Sequence, residues 1–171
     1  MNSPFANIFL AIQARVQDVM PANTYIDQDM CQLKNDKGTV RLPVTWPCVL
    51  IDFEDFEFEN IADNVQTAKG TVVIRLGFAP VSNSSATTPD EYKMLALSYY
   101  ETELMLHEAL QGWSVGDDYG NLCRTHADTQ RRSDTIRVRE IRYSIAFEDY
   151  STQLQQTKVN VPIVIHDVIA A

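Results

Sequence analysis

The fold turns on the stretch Cys48-Val49-Leu50-Ile51-Asp52-Phe53-Glu54-Asp55-Phe56-Glu57-Phe58-Glu59. Val49, Ile51 and Phe53 share one parity, and Phe56 and Phe58 take the other. Apolar residues two apart mark a strand with one buried face, because successive side chains point to opposite sides. The phase breaks at Glu54-Asp55. A β-bulge there would insert one residue and bring the phenylalanines back to the inner face. A tight turn is the alternative, although the break lacks the Gly or Asn that a two-residue turn prefers. Val72, Ile74, Leu76 and Phe78 repeat the period. Between Ile136 and Phe147 the phase shifts again: Ile136 and Val138 are even, while Ile141, Tyr143, Ile145 and Phe147 are odd. A second bulge is expected at Arg139-Glu140, giving long, bent, strongly twisted strands.

Two helices bracket the first strands. Ser3 is placed to cap the first and Pro4 suits its first position. Phe5, Ile8, Phe9, Ile12, Val16 and Val19 fall at spacings of three and four, forming one apolar stripe, and Pro21 ends the helix. The second opens on Thr88-Pro89-Asp90-Glu91, read as a capping box with proline at the first helical position, and Gly112 supplies its stop. Its stripe is Tyr92, Leu95, Tyr99, Leu106 and Leu110, and Met94, Leu97, Leu104 and Met105 add apolar surface elsewhere. Such a helix must bury more than one side. Either the sheet and the first helix cover both sides, or part of it faces a neighbouring subunit.

Asn35-Asp36-Lys37-Gly38 is a turn signal between Tyr25–Leu33 and Thr39–Leu42, as in a small hairpin. Residues 80–88 form a polar loop without periodicity, expected to be exposed and mobile. Ala127–Asp134, with Arg131-Arg132, reads as a hairpin loop between strands near Leu122–His126 and Thr135–Glu148. Val159, Val161, Ile163 and Ile165 alternate but carry Pro162, which confines a strand to a sheet edge. This segment pairs either with its own domain or with another chain's edge. The fold class is therefore α+β: a twisted, mainly antiparallel sheet with two principal helices, in the order helix, two strands, helix, two strands. Residues 1–150 make one domain and 151–171 a C-terminal extension, an edge strand or inter-subunit arm.

The 171 residues suffice for one core, and 45% apolar with 22% charged content is ordinary for a globular protein. No apolar run has membrane-spanning length, and the opening helix lacks the basic start of a signal peptide. Cys31, Cys48 and Cys123 sit at no metal-ligand spacing and read as reduced thiols of a cytosolic protein. A net charge of −9 argues against general nucleic-acid binding.

Several catalytic patterns fail. His107-Glu108 is followed by Gln111 rather than a second histidine, so the HExxH zinc pattern is broken. His107, His126 and His166 are scattered, and phosphate-loop, dinucleotide and nucleophile-elbow patterns are missing. Asn83-Ser84-Ser85 matches a glycosylation sequon, which carries little without a secretory signal. The acidic strand could hold a metal, as in a metal-dependent nuclease or related small enzyme. Asp52 and Glu54, opposite Ile51 and Phe53, read first as a solvated strand face. No cofactor is expected.

Charge is segregated. From Leu42 to Ala68 there are six acids and no Lys or Arg, and from Arg124 to Arg142 lie six of the fourteen basic residues. The two blocks either pair across strands of one sheet or lie on opposite sides of the subunit, each meeting its complement on the next copy, as in a ring.

Helix, strands, polar loop, capped helix and strands together resemble the tail terminator (tail completion, head-tail joining) proteins of long-tailed phages. The supporting residues are the opening helix, Pro47–Phe53, Val72-Val73-Ile74-Arg75-Leu76, the loop before Thr88, and Val138–Asp149. The resemblance covers residues 4–150 and is one of pattern. It implies a non-enzymatic virion protein of the tail or neck, assembled in the host cytoplasm. It also implies a homohexameric ring that caps the tail tube, meets the tail tube protein and the head connector, and passes DNA through its bore without specific binding. No membrane association is implied. Interface residues expected on the charge and strand patterns are Arg131, Arg132, Val161, Ile163, Ile165, Asp52 and Glu54. Another phage neck or adaptor protein is the neighbouring alternative.

Overall fold

The computed structural model describes residues 3–34, 43–62, 64–79 and 82–153. The elements are α1 (Pro4–Gln17), β1 (Tyr25–Gln28), β2 (Cys48–Ala62), β3 (Val65–Phe78), α2 (Asp90–Leu110), β4 (Cys123–Thr129) and β5 (Arg137–Asp149). One five-stranded sheet has the order β1-β2-β3-β5-β4. Among the described strands, β1–β2 alone is parallel. This is the α+β architecture expected.

Both helices cover one face of the sheet. Ile8, Ile12 and Val16 of α1 and Leu106 and Leu110 of α2 pack with Val49, Ile51, Val72, Ile74, Leu76, Ile141 and Tyr143. Ser3 accepts the α1 cap bond from the Ala6 amide, with Pro4 at the first position. The bulge in β2 is present: the register with β3 shifts between Glu54 and Glu57, and Asp55 takes φ 56°. Two residues there oppose Gly70, and Phe56 is thereby turned onto the same face as Phe53. The rings of Phe53 and Phe56 meet Phe5 of α1 edge-on, with centroids 5.3 and 4.9 Å away.

Three expectations are corrected. β5 has no bulge toward β3, since the register runs unbroken from Gln66↔Asp149 to Phe78↔Arg137. Its phase shift has another cause. At that end the second face is also buried, by a small cluster of Leu33, Cys48, Leu50 and Val138, so Val138 packs on one face and Ile141 on the other. The capping box does not form: Pro89 is the N-cap of α2, no side chain caps it, and Thr88 stands outside the helix. Pro89 instead provides its carbonyl to the amides of Tyr92 and Lys93. Tyr25–Leu33 is not one continuous strand. β1 stops at Gln28 and lies parallel to β2, because Asp29 and Gln32 side chains accept the Cys31 and Met30 amides and turn the chain; Thr39–Leu42 lies outside the described residues. Of the two coverings left open for α2, the core takes up its apolar stripe only toward the C-terminal end. Gly112, at φ 75°, follows that end as expected.

Candidate assembly surfaces

On the sheet face away from the helices, alternation brings charged side chains of three strands together. Arg75 of β3 is ion-paired to Asp29, to Glu54 at 3.1 Å, to Glu140 at 3.1 Å and to Asp52 at 3.5 Å. Arg142 of β5 pairs with Glu54 and Glu140, each at 2.8 Å. Glu54 reaches over β3, which separates β2 from β5, so the acidic and basic blocks meet within the subunit. Burial alone would raise the Glu140 carboxyl, but the Arg142 hydrogen bond and the charges of Arg75 and Arg142 outweigh it and hold it below the ordinary carboxylate range. Asp29 is the most enclosed of these acids, its side chain only 7% exposed.

The helix-facing side has its own arginines. Arg139 donates a fork to Glu103 of α2 at 2.7 and 2.8 Å. Arg137 lies 4.0 Å over the Tyr99 ring. His107 contacts the Tyr143 hydroxyl at 3.3 Å. Burial and the nearby Arg124 charge hold His107 below its usual value, and burial pushes Tyr143 up to about 12. These contacts orient α2 along β5: His107 lies by Tyr143, Glu103 by Arg139, and Tyr99 by Arg137 and Phe78. Phe78 and Arg137 close the sheet at that end. The first two turns of α2 run past it.

The expected interface residues separate. Arg131 is exposed in the β4–β5 loop. Arg132 is enclosed, its side chain 6% exposed, and it forks onto Asp134 at 2.8 Å with Gln130 beside it. Asp52 and Glu54 serve Arg75 and Arg142. Val161, Ile163 and Ile165 lie outside the described residues. An open cleft of about 490 Å³ between the loop and the cluster is lined by Asp29, Cys31, Lys34, Asp52, Arg75 and Arg131, among others. Sequence reading missed Asp29 and Glu140 as partners of Arg75. The one available signal was the parity of Arg75 between Ile74 and Leu76, which places it on the face opposite the core. Among the described residues no group of three or more His, Cys, Asp or Glu is placed to hold a metal. Guanidinium groups already occupy Asp52 and Glu54 of the acidic strand. No described helix is long and apolar enough to cross a membrane.

Large apolar side chains are also exposed. Tyr92, Met94, Leu95, Tyr100, Leu104 and Met105 of α2 are all exposed, Met94 to 70%. At the other end of the sheet, Phe58 and Ile61 are exposed on the β2–β3 hairpin. β4 is an edge strand whose residues are exposed from Cys123 to Asp128.

No protein-family model and no curated protein matches the chain. Among solved structures, it is similar to a chain in the virion of a native gene transfer agent particle. That chain is 11% identical, with a TM-score of 0.55, and the match covers 86% of this protein and 99% of that chain. At this identity the likeness is one of fold.

Proposed function

We propose that the protein is a structural virion component of the tail-terminator kind. It forms a homohexameric ring that closes the tail tube and presents a second face to the head connector. The observation that carries this reading is the fold match, which spans nearly the whole of a virion chain. The exposed apolar surface of α2 adds to it, because monomers rarely leave large contiguous apolar patches uncovered. The mechanism is geometric: subunits close a ring, and its two faces dock the last tube ring and the connector. A net charge of −9 suits a bore that lets DNA slide without holding it. Arg131 and the Val161, Ile163 and Ile165 segment are the interface elements of this reading. Asp52, Glu54 and Arg132 act there through the scaffold they brace.

Light scattering coupled to size exclusion tests it. The expected mass is six times the 19.4 kDa subunit. A monomer at high micromolar concentration, alone and with tube protein, would overturn the ring. The role is non-catalytic, so DNA incubated with the protein and magnesium or manganese stays intact. Cleavage abolished by Asp52→Asn would replace the structural reading with a nuclease.

A further inference from the structure

The stripe Tyr92, Leu95, Tyr99, Leu106 and Leu110 runs along α2, yet only its C-terminal part has a sheet beneath it. Leu106 and Leu110 are fully buried, whereas Tyr92 and Leu95 are about half exposed. The helix continues its core-facing side beyond the core. An apolar surface carried on a helix, with none of the described strands below it, has the form of a docking site for an apolar segment.

The chain carries a segment of matching character. Beyond Gln153, Val159, Val161, Ile163 and Ile165 alternate, which in extended conformation sets four apolar side chains along one side over about 20 Å. Pro162 removes a backbone donor, so side-chain packing suits this segment better than full pairing in a sheet. The polar edge strand β4, Cys123–Thr129, offers no apolar counterpart.

Chain length decides whose segment reaches the helix. Thr152 donates to the Asn64 carbonyl, and Gln153 follows in the same turn, so both sit at the hairpin end of the sheet. The overhang lies at the opposite end. The register from Asp149 to Arg137 spans about 40 Å at roughly 3.3 Å per residue. From Tyr99 to Tyr92 the helix adds about 10 Å more. Fully stretched at no more than about 3.6 Å per residue, the chain places Val161 at most about 29 Å, and Ile165 about 43 Å, from Gln153. A subunit therefore cannot lay Val161–Ile165 on its own overhang, whereas a neighbouring copy is under no such limit.

We infer that the α2 overhang (Tyr92, Leu95) receives residues 159–165 of a second copy of this chain, so that each subunit is strapped to the next. This rests on the ring reading above and names the contact that closes it. Because the strap is tethered to a subunit already in the ring, its effective concentration at the helix is high, and a modest contact becomes a stable one.

Cysteine cross-linking tests it in the full chain. Cys31 and Cys123, the exposed thiols, are first changed to Ser, while buried Cys48 remains. With Leu95→Cys and Ile163→Cys in the same chain, mild oxidation is expected to give a ladder of covalent multimers. Two preparations carrying one cysteine each should give only a covalent dimer when mixed. Val161→Asp with Ile163→Asp should leave the thermal midpoint unchanged and abolish the ring mass. A ring of full mass with no cross-link overturns the strap and leaves the ring standing. A fast-migrating monomeric product, closed within one chain, overturns it in favour of the chain's own segment. A monomer without cross-links overturns both strap and ring.

Discussion

Arg75 is the residue on which the open face of the sheet depends. Its guanidinium offers five donors in a planar fork, and carboxylates from β2, from β5 and from the turn after β1 converge on it. Removing one partner of an enclosed ion pair costs more than the pair contributes, because the remaining charges stay desolvated. Arg75→Met is therefore expected to destabilise the fold by about 2–4 kcal/mol in denaturant unfolding, and Arg75→Lys by less, since a point charge keeps part of the attraction. The same cluster sets an acid limit. Glu140 is held below its ordinary value of 4.5, so its folded form binds a proton less readily than its unfolded form. The stability it contributes is complete above that ordinary value and is lost as pH falls through the lowered one. Thermal midpoints recorded downward from pH 5 should fall for the wild type and fall less steeply for Glu140→Gln. An equal slope in both would remove Glu140 from the acid response.

The bulge in β2 is the element that shapes the core beneath α1. Asp55 in the left-handed region lets two residues oppose Gly70, and a Cβ on Gly70 would lie 2.4 Å from the Phe56 ring. Gly70→Ala must push that ring out of its cluster with Phe5 and Phe147, at an expected cost of about 1–3 kcal/mol in chemical unfolding. Combining it with Phe56→Leu should recover part of the loss, because the smaller side chain vacates the collision. This bulge was legible in the sequence, since a buried inner face turns an inserted residue into a visible change of parity. So were both helices, which announce themselves through local spacing and the stops at Pro21 and Gly112. The same parity cue misled in β5, where Val138 and Ile141 are buried on opposite faces, a fact set by the cluster around Leu33 and Trp46 rather than by β5 itself. Thr88 misled because Pro89 took the cap position. The parallel pairing of β1 escaped notice because four residues define it and the partner strand lies some twenty positions away. For the candidate site, the charge blocks were plain, but Asp29 as a ligand of Arg75 was not, since nothing local links position 29 to position 75.

In the whole molecule, both helices lie on one face and ion pairs brace the other, so free interaction potential is left at the ends and edges. The β4–β5 loop divides accordingly. Arg132→Glu breaks a fork onto Asp134 and should lower the thermal midpoint, whereas Arg131→Glu should leave it unchanged. If that loop meets the next subunit, Arg131→Glu also lowers the assembled mass measured by light scattering, most clearly at low salt, because exposed charges act mainly on association and are screened. An assembled mass unaffected by Arg131→Glu at every salt concentration would leave the loop a solvated one. The overhang of α2 has a further consequence, at the level of single amides. An isolated stretch of two helical turns is barely stable in water, because nucleation costs more than so few hydrogen bonds return. Leu106 and Leu110 are anchored in the core, so amides near them should exchange with deuterium only when the domain unfolds. Those from Lys93 to Ser98 should exchange through local fraying, orders of magnitude sooner. One continuous helix thus holds two stabilities, and deuterium uptake in its first turns reports whether a neighbour has settled there.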